Sequence, residues 1–349
     1  MNEFLQALID GVALGAQYAL IVLGFVVIFR ATGIINFAQG ALVLLGAYLT
    51  YNAHVTWGLN FYLSILISMV LVAAVGVLIQ RSILQLTFRE TGGVGAGLLA
   101  WAIAQYAEIE SWPAFGIGIA AGIVAWLLLW GIERRSSASK YNELPIFGAV
   151  MVTIGLLFAL KQLVASVWGF AELTMQDPWV LSNLNVGDLS ISHAKLWTIG
   201  LAIVGLGIFF VFDRFTKIGI AMRAVHFDQE AAVAQGIPTG LVFGVAWGIA
   251  GAVAGLAGAT AGAGVAQLTP QLDLVVFLAF PAIILGGFDS PGGAVVGGVI
   301  IGVVQNLVKV YQLEAWGVGF DRVGIFIVMI LVLMVRPYGL FGTPEVRRV

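Results

Sequence analysis

Cysteine is missing from all 349 residues. That excludes a disulfide framework, an iron–sulfur cluster and a Cys-ligated zinc. Histidine is nearly missing too: His54, His193 and His226 stand far apart and form no HExxH-like pair suited to a metal. Charge is scarce. Asp, Glu, Lys and Arg make up only 10% of the chain, against about 25% in soluble domains. There is too little polar surface to cover a water-soluble globule of this size. The formal net charge of −2 offers no basic footprint for nucleic acid. No Gly-x-x-x-x-Gly-Lys-Ser/Thr sequence occurs, so the chain has no P-loop for ATP. These absences exclude a soluble enzyme, a nucleic-acid binder and a disordered protein.

What is present is apolar: 60% of residues are hydrophobic and the mean hydropathy is +1.03. A membrane-crossing helix needs roughly 20 apolar residues. Runs of that kind start at Leu5, Gly33, Phe61, Pro113, Ile146, Leu196, Gly240, Pro291 and Val323, with shorter ones over 93–106 and 274–285. The sequence therefore predicts an all-α, polytopic bundle of about 9–11 transmembrane helices. The apolar runs do not alternate with polar residues as barrel strands would. Glu3 and Asp10 are the charges near the start, so no basic n-region of a cleaved signal peptide is expected. The 45 glycines recur inside apolar runs. Pairs such as Gly251/Gly255, Gly258/Gly262, Gly293/Gly297 and Gly298/Gly302 are spaced for close helix crossings.

Cations set the expected direction. Arg30; Arg81 and Arg89; Arg134, Arg135 and Lys140; Arg214, Lys217 and Arg223; and Arg336, Arg347 and Arg348 fit one face, the cytoplasmic one. Most acids, among them Asp10, Glu172, Asp177, Asp273 and Asp321, fall on the other. This places the N-terminus outside and the C-terminus in the cytoplasm, with a helical hairpin over 93–131 that turns outside at 108–112. The chain reads as one membrane domain, 1–349. Its external loop, 170–194, is expected to form a short structured cap. Its cytoplasmic loop, 214–239, holds good helix formers over 221–235, closed by Gly236 and Pro238.

Polar residues inside apolar runs are the candidate pathway or gate groups. Asn36 and Gln39 lie three apart and are expected on one helix face near the cytoplasmic end, as interhelical glue or as a gate. Lys161, with Gln162 beside it, lies about fifteen residues into its run. A lysine at that depth costs roughly 2.5–3.5 kcal/mol. It therefore either snorkels to the external surface or lines a hydrated cavity. No buried acidic partner for it is evident. Gln305 and Asn306 are weaker candidates of the same kind.

The cytoplasmic loop carries Arg223, Asp228 and the run Glu230-Ala231-Ala232, with Gly236 following after three intervening residues. One reading is a solvated amphipathic link between spans. The other is a short helix that docks into a partner, with Ala231 and Ala232 permitting close approach. Glu-Ala-Ala-x-x-x-Gly resembles the coupling motif of permease subunits of bacterial ATP-binding-cassette importers. Residues 33–40 (Gly-Ile-Ile-Asn-Phe-Ala-Gln-Gly), followed by Leu45-Gly46-Ala47-Tyr48, are similar to a signature of the branched-chain amino acid permease family. Residues 11–20 resemble that family's first helix, and 285–294 its late Leu-Gly-Gly stretch. Gln39 stands where the family usually has His, and 93–131 looks like an insertion.

The resemblance implies a bundle of the kind found in vitamin B12 and ribose permeases. It implies a subunit of the bacterial inner membrane that forms the pathway for branched-chain or other neutral amino acids, or related small polar solutes. It also implies a second, similar permease subunit, two cytoplasmic ATPases that use ATP and Mg, and an external solute-binding protein. This chain itself is expected to bind no cofactor and to perform no covalent chemistry. The rivals are a stand-alone secondary transporter or channel, which would place ionisable residues mid-membrane, and a membrane enzyme, for which no nucleophile or acid–base pair stands out.

Overall fold

The computed structural model describes residues 2–81, 120, 124, 146–179, 182–187, 189–264, 267–313, 316–317 and 319–342. The hairpin expected over 93–131 and the cationic segment 133–143 lie outside them, apart from the helical positions 120 and 124. Among the described residues six helices are long and apolar enough to cross a membrane. They are α1 (Asn2–Thr32), α3 (Phe61–Ile79), α4 (Ile146–Trp168), α5 (His193–Phe215), α8 (Thr239–Gly262) and α10 (Pro291–Tyr311). Shorter helices are α2 (Gln39–Tyr51), α6 (Lys217–Phe227), α7 (Gln229–Ala234), α9 (Val275–Gly286) and α11 (Phe320–Val335). Caps stand where polar residues precede apolar runs. Asn60 accepts from Tyr62 N–H to start α3, Thr216 from Gly219 N–H to start α6, and Ser290 from Gly293 N–H to start α10.

The core is built around α1, α8 and α10. Alpha-1 packs antiparallel on α10, and α8 packs on α2 and α3. Glycine sets these distances. A Cβ on Gly298 would lie 2.6 Å from Ala19 N, and one on Gly11 2.7 Å from Val303 Cα. Gly255 is pressed in the same way on Met69 of α3, and Gly258 on Val43 of α2.

Two spans are interrupted. The run starting at Gly33 does not begin a helix there: Gly33 takes φ +69° and α2 starts only at Gln39. Residues 33–38 re-enter the bundle as irregular chain. They are held by Thr153 of α4, whose hydroxyl accepts from Phe37 N–H at 3.2 Å and donates to Val150 O at 2.8 Å, with Ile35 O at 3.4 Å. A π-helical turn, Asn52–Thr56, then prolongs α2. The second interruption follows α8. Irregular chain with Gly264 at φ +82° leads through β4 (Gln267–Leu268) and a 3-10 turn (Pro270–Leu274) into α9. The two breaks face each other, since Gly40 in the first turn of α2 lies against the carbonyl of Asp273 just before α9.

The loop over 170–194, expected to be external, carries short strands and packs on one end of the bundle. Strand β1 (Leu173–Thr174) pairs antiparallel with β4, and β2 (Asn183–Val186) pairs with β3 (Leu189–Ser192). Asp177 is buried and accepts from the N–H groups of Trp179 and Gly264. Trp179 stacks on Trp197 among Phe61 and Tyr62. At the opposite end Leu340 and Phe341 donate to the carbonyls of Leu285 and Gly286, so the chain's last described turn closes on the α9–α10 junction.

The α1–α10 crossing gives a direct test. Gly298→Val should destabilise the detergent-solubilised protein by about 1–3 kcal/mol, the cost of overpacking a tight core. Gly207→Ala on the exposed side of α5, where a Cβ meets nothing, should change stability by less than about 0.5 kcal/mol. Thermal unfolding followed by light scattering distinguishes the two.

Candidate functional site

Two polar assemblies carry the candidate residues. The first lies at the arginine-rich end of the bundle. The stretch expected as one helix over 221–235 is two: α6 ends at Phe227, and Asp228 turns the chain and caps α7 by accepting from Ala231 N–H. Gly236 then takes φ +82°, which ends α7. Arg223, expected at the rim of a partner contact, is instead tied into the bundle. It donates to Asp213, both to the carboxylate at 3.1 Å and to the backbone carbonyl, and Arg30 of α1 reaches the same carboxylate at 3.4 Å. Asp213 therefore clamps the ends of α1, α5 and α6 together. His226 sits nearby. Burial and the Arg30 guanidinium hold its imidazole below the usual range, favouring the neutral form, while a hydrogen bond to the Arg30 backbone acts against them.

Ala232 also departs from expectation. It is 4% exposed and packs inward, so it does not enter a partner's groove. Ala231, Glu230, Asp228 and Gly236 are exposed. Around the α6–α7 bend the large apolar groups presented outward are Phe227, 84% exposed, and Val233, 53% exposed; Ile220 and Phe215 are exposed earlier in the loop. Phe227 was not singled out from the sequence. Its signal is the Asp228 N-cap, which splits the helix and leaves the preceding aromatic at the bend.

The second assembly lies inside the bundle. Asn36 and Gln39 are fully buried but do not share a helix face, because Asn36 precedes α2. Its Oδ1 accepts from Ala38 N–H, and its Nδ2 has no partner among the described residues. Gln39 donates to Ala250 O at 3.4 Å and packs on Gly24. Gly24 stands about 12 Å from the end of α1, and Ala250 about 16 Å into α8, by helix rise. Gln39 is therefore deeper than expected and ties α1, α2 and α8.

Lys161 neither snorkels nor stands alone. Its Nζ donates to both oxygens of Asp273, at 2.9 and 3.0 Å. Asp273 was expected among the external acids; its side chain is 3% exposed, against 30% for Lys161. The residues are 112 positions apart, so no spacing rule pairs them. Gln162 is exposed on α4. Gln305 and Asn306 stand apart from this group. Gln305 accepts from Tyr18 and donates to Asp321, and Asn306 donates to Ala7 O, so both act as ties among α1, α10 and α11. Among the described residues no cluster of His, Cys, Asp and Glu suits a metal ion.

Comparison with known proteins places this arrangement. The family described as "Branched-chain amino acid transport system / permease component" matches residues 7–334. The high-affinity branched-chain amino acid transport system permease protein LivH of Escherichia coli (strain K12) is 28% identical, covering 99% of this chain and 98% of that protein. The high-affinity branched-chain amino acid transport system permease protein BraD of Pseudomonas aeruginosa is 25% identical over 99% of this chain and 98% of its own length. A probable branched-chain amino acid transport permease protein LivH of Methanocaldococcus jannaschii is 24% identical over 93% and 88%.

The Asp213 clamp predicts a local effect. Asp213→Asn removes the charge that two arginines share, and charged hydrogen bonds contribute about 1.5–3 kcal/mol each when well formed. Amide hydrogen exchange in Lys217–Phe227 should accelerate at least tenfold, while exchange in Thr239–Gly262 stays as in the parent protein.

Proposed function

The chain belongs to the branched-chain amino acid transport permease family, and from that premise we propose how it works as the transmembrane subunit of an ATP-driven importer. It forms the translocation pathway for branched-chain or other neutral amino acids. The substrate class is supported by the names of its relatives. Separate ATPase subunits bind ATP and Mg, an external protein delivers the solute, and a second permease subunit completes the pathway. The arginine-rich end faces the cytoplasm, in keeping with the preference of short cytoplasmic loops for cations.

The observation that carries the coupling role is the apolar pair on α6–α7. Phe227 and Val233 project from a loop otherwise bounded by Asp228, Glu230 and Gln235. An exposed aromatic ringed by charge is the composition of a partner anchor with a polar rim. In this reading Phe227 and Val233 enter a groove of the ATPase and Glu230 pairs at its edge. Movement of that groove displaces α6, and the Asp213 clamp passes the displacement to α1 and α5. Spans that open to one face at a time then carry solute inward.

Phe227→Asp and Glu230→Lys should each weaken ATPase association at least tenfold, with the membrane subunit still folded. Gly236→Val, which strains a left-handed position by about 1–2 kcal/mol, should uncouple hydrolysis from uptake. Wild-type association and coupled hydrolysis in all three, measured by copurification and in proteoliposomes, would refute the coupling role. Direction is tested separately. The chain has no native cysteine, so single cysteines label cleanly. Asn185→Cys should react with an impermeant reagent in intact cells and Gln235→Cys only after permeabilisation; the reverse pattern would overturn the orientation.

A further inference from the structure

The Lys161–Asp273 pair does more than the bundle's stability requires. A buried ion pair is weak evidence for stability, because desolvating two charges roughly offsets their attraction. Matched apolar residues would hold α4 to the 3-10 turn as well. The pair also stands at a particular place. Asp273 ends the irregular stretch before α9, and its carbonyl lies against Gly40 at the start of α2. Both interrupted spans therefore put their helix amino ends beside it. Irregular backbone at membrane depth is tolerated where it is buried in protein or borders a water-filled cavity. Lys161 keeps 30% of its side chain accessible, and Gln162 beside it is exposed. The ion pair is thus reachable from the surface of the chain on the Lys161 side.

We propose that Lys161 and Asp273 form an exchangeable site for a zwitterion. The proposal rests on the amino acid importer reading. The solute's α-carboxylate takes the Lys161 ammonium, and its α-ammonium takes the Asp273 carboxylate. One ion pair opens and two form, so no charge is left unpaired in a low-dielectric site. When the solute leaves, Lys161 and Asp273 close on each other again at the 2.9–3.0 Å observed. The empty pathway then holds no bare charge that would admit free ions. Selectivity at this site is for the amino acid head group, and side-chain preference lies elsewhere.

The test uses the whole importer in proteoliposomes with radiolabelled leucine as probe. Uptake is divided by the amount of assembled complex. Lys161→Met combined with Asp273→Leu removes both charges and leaves none stranded. The proposal expects assembly to persist and uptake per complex to fall at least tenfold, whereas Lys161→Arg, which keeps the charge, retains at least a third. Wild-type uptake per complex in the double variant would overturn the proposal. So would loss of assembly in the double variant and in Lys161→Arg alike, which would assign the pair to folding. Failure of the importer reading looks different: the wild-type complex itself would then take up no neutral amino acid.

Discussion

A peptide group without a partner costs several kcal/mol inside a bilayer, and this bundle interrupts its spans twice. Everything near the breaks answers that constraint. Thr153 supplies an acceptor for Phe37 N–H. Asn36 turns its own side chain back on Ala38, and the carboxylate of Asp177 takes Gly264 N–H at the second break. Each break is thereby tied to a continuous helix or to the cap. Two short helices, α2 and α9, begin beyond these breaks.

Such interruptions also need room, and glycine provides it. Gly24 leaves space for the Gln39 amide, and Gly40 lets the chain before α9 approach α2. Gly286, Gly293 and Gly297 bring α9 and α10 together, while Gly287 admits the closing turn at Gly342. Packing thus explains three glycines of the Leu285–Ala294 stretch that resembles a family signature: Gly286, Gly287 and Gly293 lie against backbone. Polar side chains then work at short range across these crossings. The Gln39, Gln305 and Asn306 amides each bond to another helix.

The spans and the two functional loops were legible because each depends on local pattern. Long apolar runs, the polar stretch 170–194 and the Gly236 stop are all readable within about twenty residues. The break at 33–38 was not. Those residues are themselves mostly apolar, and hydropathy does not distinguish extended chain from helix. The depth of Gln39 was misjudged for the same reason, because a continuous helix from Gly33 puts it near the surface. Lys161 was recognised as misplaced for a lipid-facing residue, but its partner was hidden. Asp273 lies in a segment that reads as an external turn, and only the fold of the 3-10 stretch carries it inward.

The loop proposed for coupling shows how a local rule and a tertiary contact divide the work. Asp228 and Gly236 bound α7, and of its six residues Ala232 is the one buried in the core. Their position is set from outside the segment, by Arg223 on Asp213 and Arg30 on the same carboxylate. A loop that took its position from its own packing would yield to a partner's pull without moving the spans. Here the pull acts on a charged clamp that joins α1 and α5, and α1 is glycine-packed on α10 over much of its length. In the proposed coupling role, displacement at Phe227 would reach the bundle through one carboxylate and a close helix crossing.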